Sequence, residues 1–133
     1  MILVDSSVLI DFLKGSPGDH VRRLEGIIER GLPVGLCGLV YMEVLQGVKS
    51  KGDFETLRRY LDSYPQYGAK SRETYAAAAW MYFFLKSKGD AVRSAGDCLI
   101  AQIALDHDLF LLHNDRDFEK IGRYFPLKAW SGI

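Results

Sequence analysis

The sequence contains no apolar run long enough to cross a bilayer. Its longest candidate, Ala76 to Leu85, falls far short of the roughly 20 residues a spanning helix needs. It does not open on a positively charged leader either: Asp5 interrupts Met1-Ile-Leu-Val after three apolar residues, so no signal peptide is expected. Cysteine is scarce. Cys37 and Cys98 lie in apolar segments without a neighbouring His or a second Cys. That excludes a disulfide framework and leaves two buried free thiols as the expectation, with the cytoplasm as the expected location. The three histidines, His20, His107 and His113, show no spacing that recruits zinc, and His113 reads as a simple loop residue, with a substrate contact as the lesser alternative. There is no Walker-type loop and no GxGxxG, which sets aside that kind of nucleotide hydrolysis and dinucleotide redox chemistry. Neither a Ser-His pairing nor an activated Cys setting appears, so covalent catalysis is not expected. Internal repeats, low-complexity tracts and linker-like glycine clusters are also missing, which argues for one domain over residues 1–133.

Net charge is absent as well: 17 basic side chains balance 17 acidic ones. The total therefore predicts no polyanion partner, but the distribution matters more. Five of those acids gathered in one pocket would leave 17 basic against 12 acidic residues elsewhere, a balance compatible with a phosphate-bearing ligand.

What the chain does have is apolar residues, 48% of the total, spread along its length in segments whose period switches between strand and helix. Ile2 to Asp5 reads as a buried strand, and Ser6-Ser7 offers an N-cap for a helix that stops at Gly15. A second helix is expected from Pro17 to Gly31, and a strand over Pro33–Cys37. Helical pattern follows at Leu39–Leu45 and Phe54–Leu61, and Tyr64–Tyr67 reads as a short strand. A long helix is expected from Arg72 to Lys88 and another from Ser94 or Ala95 to His107. Leu109–Leu112 reads as the clearest of the central strands, Asp115–Ile121 as a short helix and Leu127–Trp130 as a last strand. This alternation predicts an α/β fold: a three-layer α/β/α sandwich around a mostly parallel sheet.

In such a sheet, ligands bind beyond the carboxyl ends of the strands, where the N-termini of the connecting helices also lie. Asp5 ends the first strand. Asp115 and Asp117 follow the Leu109–Leu112 strand, Asp97 sits in the first turn of its helix, and Glu43 sits early in its own. Separate segments thus deliver acids to one rim. Asp5, Glu43 and Asp97 are embedded among apolar or small residues, where unpaired carboxylates are costly and several together repel one another. Taken singly, Asp5 or Asp97 could simply cap a helix. By contrast, Glu25, Glu29, Asp62, Asp106 and Glu119 read as solvated helix faces, and Asp11 is ambiguous. An all-carboxylate set suits a hard cation, Mg²⁺ or Mn²⁺, and clustered carboxylates holding such ions recur where phosphodiesters are hydrolysed by a metal-activated water.

Four segments carry a resemblance: Ile2-Leu-Val-Asp-Ser-Ser-Val-Leu-Ile10, Met42-Glu-Val-Leu-Gln-Gly47, Val92-Arg-Ser-Ala-Gly-Asp-Cys-Leu-Ile-Ala101 and His113-Asn-Asp-Arg-Asp-Phe118. In this order the chain resembles PIN-domain ribonucleases, and most of all the VapC toxins of VapBC type II toxin–antitoxin pairs. The resemblance implies a Mg²⁺-dependent endoribonuclease acting on tRNA or rRNA. Asp5, Glu43, Asp97 and Asp115 would be its metal-binding catalytic carboxylates, with Asp117 near a second metal. It places Ser7 and Ser94 beside the pocket and implies a homodimer silenced by a VapB-type antitoxin whose C-terminal segment occupies the cleft. Arg93 and Arg116, adjacent to the motif acids, are the candidate phosphate contacts. The aromatic stretch within Ala76–Leu85 is either core or a subunit or antitoxin contact. Two rivals stand beside this reading. One is an RNA-processing or structure-specific DNA nuclease of the same fold; the other is a non-catalytic module that binds RNA or a partner.

Overall fold

The structure, a computed structural model, describes residues 1–132. Strands β1 (Ile2–Val4), β2 (Val34–Cys37), β3 (Gln66–Tyr67), β4 (Phe110–Leu112) and β5 (Lys128–Ala129) form one sheet in the order β3-β2-β1-β4-β5. Every pairing is parallel, so the expected mostly parallel sheet is wholly so. β1 takes the middle place, and β4, expected as a central strand, lies beside it with a parallel neighbour on each side. The three inner strands carry short apolar runs without alternation because both of their faces are covered.

Between the strands run α1 (Ser6–Lys14), α2 (Asp19–Glu29), α3 (Gly38–Leu45), α4 (Lys51–Asp62), α5 (Arg72–Ser87), α6 (Ala95–Asp106) and α7 (Arg116–Tyr124). The chain steps outward from β1 through β2 to β3, then returns across the sheet to β4 and continues to β5. Right-handed crossovers therefore put α1–α4 on one face and α5–α7 on the other. The contacts divide accordingly: α1 packs on α2 and α3, and α3 on α4, while α5, α6 and α7 pack on one another. The reversal of strand order falls between β1 and β4, the crevice where open parallel sheets bind their ligands. There α3 and α6, from opposite faces, come into contact.

Local chemistry fixes the elements near this crevice. The cap of α1 is Asp5 rather than Ser6 or Ser7: its carboxylate accepts the Ser7 amide at 3.0 Å, and Ser6 is already helical. At the other end, Gly15 adopts φ 71°, a left-handed conformation that residues with a Cβ resist, and its amide closes the helix. Gly35 of β2 lies under the Tyr67 ring, and a Cβ there would sit 2.3 Å from it. Cys37 and Cys98 are buried free thiols, as the sequence suggests.

Candidate active site

The crevice collects acids from both faces of the sheet. Asp5 leaves the end of β1 and is 4% exposed; its backbone amide donates to the Leu112 carbonyl, tying it to the end of β4. Ser7 holds its carboxylate twice, through the amide and through the hydroxyl at 2.6 Å. The same hydroxyl accepts the Asn114 amide at 3.0 Å, so Ser7 links the loops after β1 and β4. Burial raises the Asp5 pKa, against the lowering effect of these bonds. Glu43, half-buried on α3, accepts a hydrogen bond from the Ser6 hydroxyl at 3.2 Å. Burial pushes its pKa up, and the Asp5 charge adds to the rise.

Asp97 occupies the first turn of α6 without capping it, because Ser94 accepts the Gly96 amide and does so instead. Its carboxyl is pushed up to about 7, first by burial and then by the charges of Asp5, Asp115, Asp117 and Glu43. All of these act in one direction. Four other carboxylates thus bear on this one, and the site as folded calls for a proton or a cation.

The loop after β4 supplies the rest. Asp115 caps α7 by accepting the Asp117 amide at 2.9 Å. Asp117, in the first turn of α7, is 4% exposed. One oxygen each from Asp97, Asp115 and Asp117 can be chosen so that all three lie within 4.8 Å of one another. That is the span over which carboxylates share a divalent ion, and a set of hard oxygen donors fits a hard divalent cation. Asp5 and Glu43 stand outside this tight trio but within its electrostatic reach.

Arg93 grips the trio's outer edge. Its Nη2 donates to both oxygens of Asp115 at 2.9 Å, while its Nε and backbone amide donate to Asp117 at 3.1 and 3.0 Å. Burial opposes ionisation of Asp117, but the bonds from Arg93 outweigh it and hold that carboxyl below its ordinary value. Lys120, one turn further along α7, sits 3.7 Å from the same carboxylate. Arg116 is exposed and lines a cleft of about 500 Å³ with Arg93, Asp115, Asp117 and Lys120. His113 contacts the Phe118 ring at 5.0 Å, and burial lowers its pKa despite the nearby acids.

Sequence reasoning overlooked Ser6, Asn114 and Lys120 as parts of this site. Lys120 had a legible signal, since it stands three residues after Asp117 on a helix. Ser6 and Asn114 had none, because their contacts cross 37 and 107 residues of sequence. Two acids expected as solvated do more. Asp106 is half-buried and joins α6 to α5 by accepting from Thr74 at 2.7 Å, because those two helices pack closely. Asp62, although exposed, accepts the Tyr41 hydroxyl at 2.7 Å. The ambiguous Asp11 pairs with His20 of α2 at 2.8 Å.

The PIN-domain family profile matches residues 2–124. Ribonuclease VapC11 of Mycobacterium tuberculosis is 32% identical over 98% of each chain. Ribonuclease VapC21 of the same species is 33% identical over 75% of this chain and 72% of its own. Among solved structures, VapBC-1 from nontypeable Haemophilus influenzae superposes with a TM-score of 0.74 at 18% identity, covering 98% of this chain and 97% of that one. VapBC2 from Rickettsia felis, bound to a promoter DNA fragment, gives 0.72 at 19% identity, covering 98% of this chain and all of that one. An all-parallel sheet with acids gathered at its switch point, a family profile spanning nearly the whole chain and full-length similarity to VapC11 lead to one conclusion: the chain belongs to the PIN-domain family, among the VapC ribonucleases.

Proposed function

We propose that this chain is a Mg²⁺-dependent endoribonuclease, the toxin of a type II toxin–antitoxin pair, acting in the cytoplasm on tRNA or rRNA as a single PIN domain over residues 1–133. The observation that carries the reading is the acid cluster: Asp97, Asp115 and Asp117 within 4.8 Å, with Asp5 and Glu43 adding their charge at Asp97. Asp5 and Asp115 also cap helices, but capping does not require five mutually repelling carboxylates in one crevice, and their concentration there supports a bound cation. On this reading Asp5, Glu43, Asp97 and Asp115 are the metal-binding catalytic carboxylates, and Asp117, inside the tight trio, is a further ligand near a second metal. Mg²⁺, or Mn²⁺ in its place, supplies a water of lowered pKa and neutralises charge at the phosphate. Ser7 fixes the Asp5 carboxylate, and Ser94 fixes the start of the helix bearing Asp97. Arg116, exposed beside Asp115, is assigned to backbone phosphate, as is Arg93 once it exchanges its carboxylate partners for substrate.

A VapB-type antitoxin is the partner, supported by the similarity to toxin–antitoxin complexes. A groove of about 410 Å³ lined by Ile10, Leu13, Val44 and Leu57 runs up to Glu43 and offers that partner apolar contact beside the acids. The exposed aromatics of α5, Trp80 and Phe83, support homodimerisation. No helix among the described residues is long and apolar enough to cross a membrane.

The test is RNA cleavage by the purified chain with Mg²⁺. Cleavage should vanish with EDTA and return with added Mg²⁺. Asp97→Asn should lose it while retaining the circular-dichroism spectrum of the folded chain. Undiminished cleavage by Asp97→Asn, or in EDTA, would overturn the reading, and so would cleavage confined to flapped DNA.

A further inference from the structure

Beside the acid cluster, the loop after β4 borders a second cleft of about 530 Å³ that the acid site does not account for. Arg23 of α2, Asn114, Asp115, Arg116, Glu119 and Trp130 line it. Its size lies within the range, about 300–1,000 Å³, of pockets that enclose small ligands. Asp115 belongs to this cleft and to the acid cluster alike, so whatever fills the cleft lies directly against the proposed reaction centre.

The chemistry of the wall is specific. Arg23 is half-buried and Arg116 exposed, and neither forms an ion pair among the described residues. An anionic ligand would give Arg23 and Arg116 the charged partner that they lack among the described residues. Trp130 is held to β4 by an edge contact with Phe110, at 5.4 Å between ring centroids. Its indole Nε1 is buried and has no hydrogen-bond partner, alone in this among the side chains of the described residues. Two unpaired guanidiniums, an indole and the polar groups of Asn114 and Glu119 form the combination that holds one unit of single-stranded nucleic acid. The cations take the phosphate, the aromatic takes the base, and the amide and carboxylate meet its edge.

We infer that this cleft is a nucleotide subsite for the residue adjoining the cleaved phosphodiester, with Arg23 and Arg116 on its phosphate and Trp130 against its base. The inference rests on the ribonuclease reading for its biological meaning. Its test does not, because binding is measured without catalysis.

The full-length chain, ¹⁵N-labelled and in EDTA, is titrated separately with AMP, GMP, CMP, UMP and inorganic phosphate. The observed signal is the Trp130 indole resonance, assigned by its loss in Trp130→Phe. The expected result is a saturable shift with at least one nucleotide and none with phosphate alone. Arg23→Ala should weaken that binding about tenfold, the scale of a lost charge-assisted hydrogen bond. In Mg²⁺ the same variant should raise KM for an RNA oligonucleotide while kcat stays within about twofold. If Arg23→Ala does not fold, Arg23→Gln gives the same readings. Absence of a saturable shift, equal binding of phosphate alone, or unchanged affinity in the Arg23 variant would overturn the subsite. A chain that binds nucleotide but cuts no RNA would defeat the ribonuclease reading and leave the subsite standing. A chain that cuts RNA but binds no nucleotide would do the reverse.

Discussion

At the residue scale, the site's state is set by how each carboxylate is compensated. Asp117 is almost fully buried yet stays ionised because Arg93 and Lys120 surround it. Arg93 is itself 77% exposed in its side chain, so the pair is partly screened by solvent. Arg93→Gln should therefore lower the midpoint of urea unfolding only slightly, by less than the loss of a fully buried pair would. Saturating Mg²⁺ should recover most of that loss if the ion and the guanidinium serve the same carboxylates. Asp97 behaves in the opposite sense. Its folded pKa, about 7, lies above the ordinary 3.8, so the folded metal-free chain retains a proton there that the unfolded chain releases. The stability this group contributes is fully present below about pH 4 and is lost as pH rises through about 7. Thermal melts in EDTA should show Tm falling across that window, with a flatter profile in Asp97→Asn. Cation binding requires the ionised form, so affinity should strengthen about tenfold per pH unit up to about 7 and then level off. A pH-independent affinity by calorimetry would contradict this assignment.

At the element scale, two of the site acids are also helix caps. Asp5 starts α1 and Asp115 starts α7, each accepting the amide two residues on. Asn caps a helix as well as Asp does, whereas Ala cannot. Asp115→Asn should then unfold close to wild type, and Asp115→Ala should be less stable than the Asn variant by about 1 kcal/mol. Gly35 makes a separate demand: an added Cβ would meet the Tyr67 ring and press on the Pro65 carbonyl oxygen at 3.1 Å. Gly35→Ala should destabilise by about 1–3 kcal/mol in chemical denaturation, the usual cost of overpacking. At this scale the sequence was readable in kind but not in detail. Helical period located the seven helices of the described residues, yet it left Ser6-Ser7 and Asp5 both open as the cap of α1, where Asp5 serves. The choice turns on backbone angles at a strand end, where Asp, Ser and Thr are all acceptable and only the tertiary position of the loop decides. The strand order was equally hidden, because parallel neighbours are set by crossovers, not by local composition.

At the scale of the whole molecule, the gathering of acids at one rim was legible because a parallel sheet sends strand C-termini and helix N-termini to the same edge, but which of them form the tight trio, Asp97, Asp115 and Asp117, was not. The clamp of Arg93 on Asp115 and Asp117 was not, since residue type alone does not distinguish a guanidinium facing solvent from one folded back on two acids. Arg23 and Trp130 were missed for a related reason. They reach the cleft from α2 and from beyond β5, at opposite ends of the chain. The aromatic stretch of α5 poses the remaining molecular-scale question, and burial answers half of it. Met81 and Leu85 are completely buried and serve the core, but Tyr75, Trp80 and Phe83 are 57%, 57% and 60% exposed. Trp80 and Phe83 also stack on each other, with ring centroids 5.5 Å apart, so the outer face of α5 presents a preformed apolar surface rather than scattered side chains. Keeping two large aromatics in water has a cost that association with a second copy removes. Light scattering should therefore give a mass about twice the 15.0 kDa of the chain, and Phe83→Glu should shift it to that of the monomer. Because Phe83 lies outside the core, the variant's thermal unfolding at low concentration should stay close to wild type. A wild-type chain that runs as a monomer, or a Phe83→Glu chain that remains dimeric, would remove α5 as the dimer face.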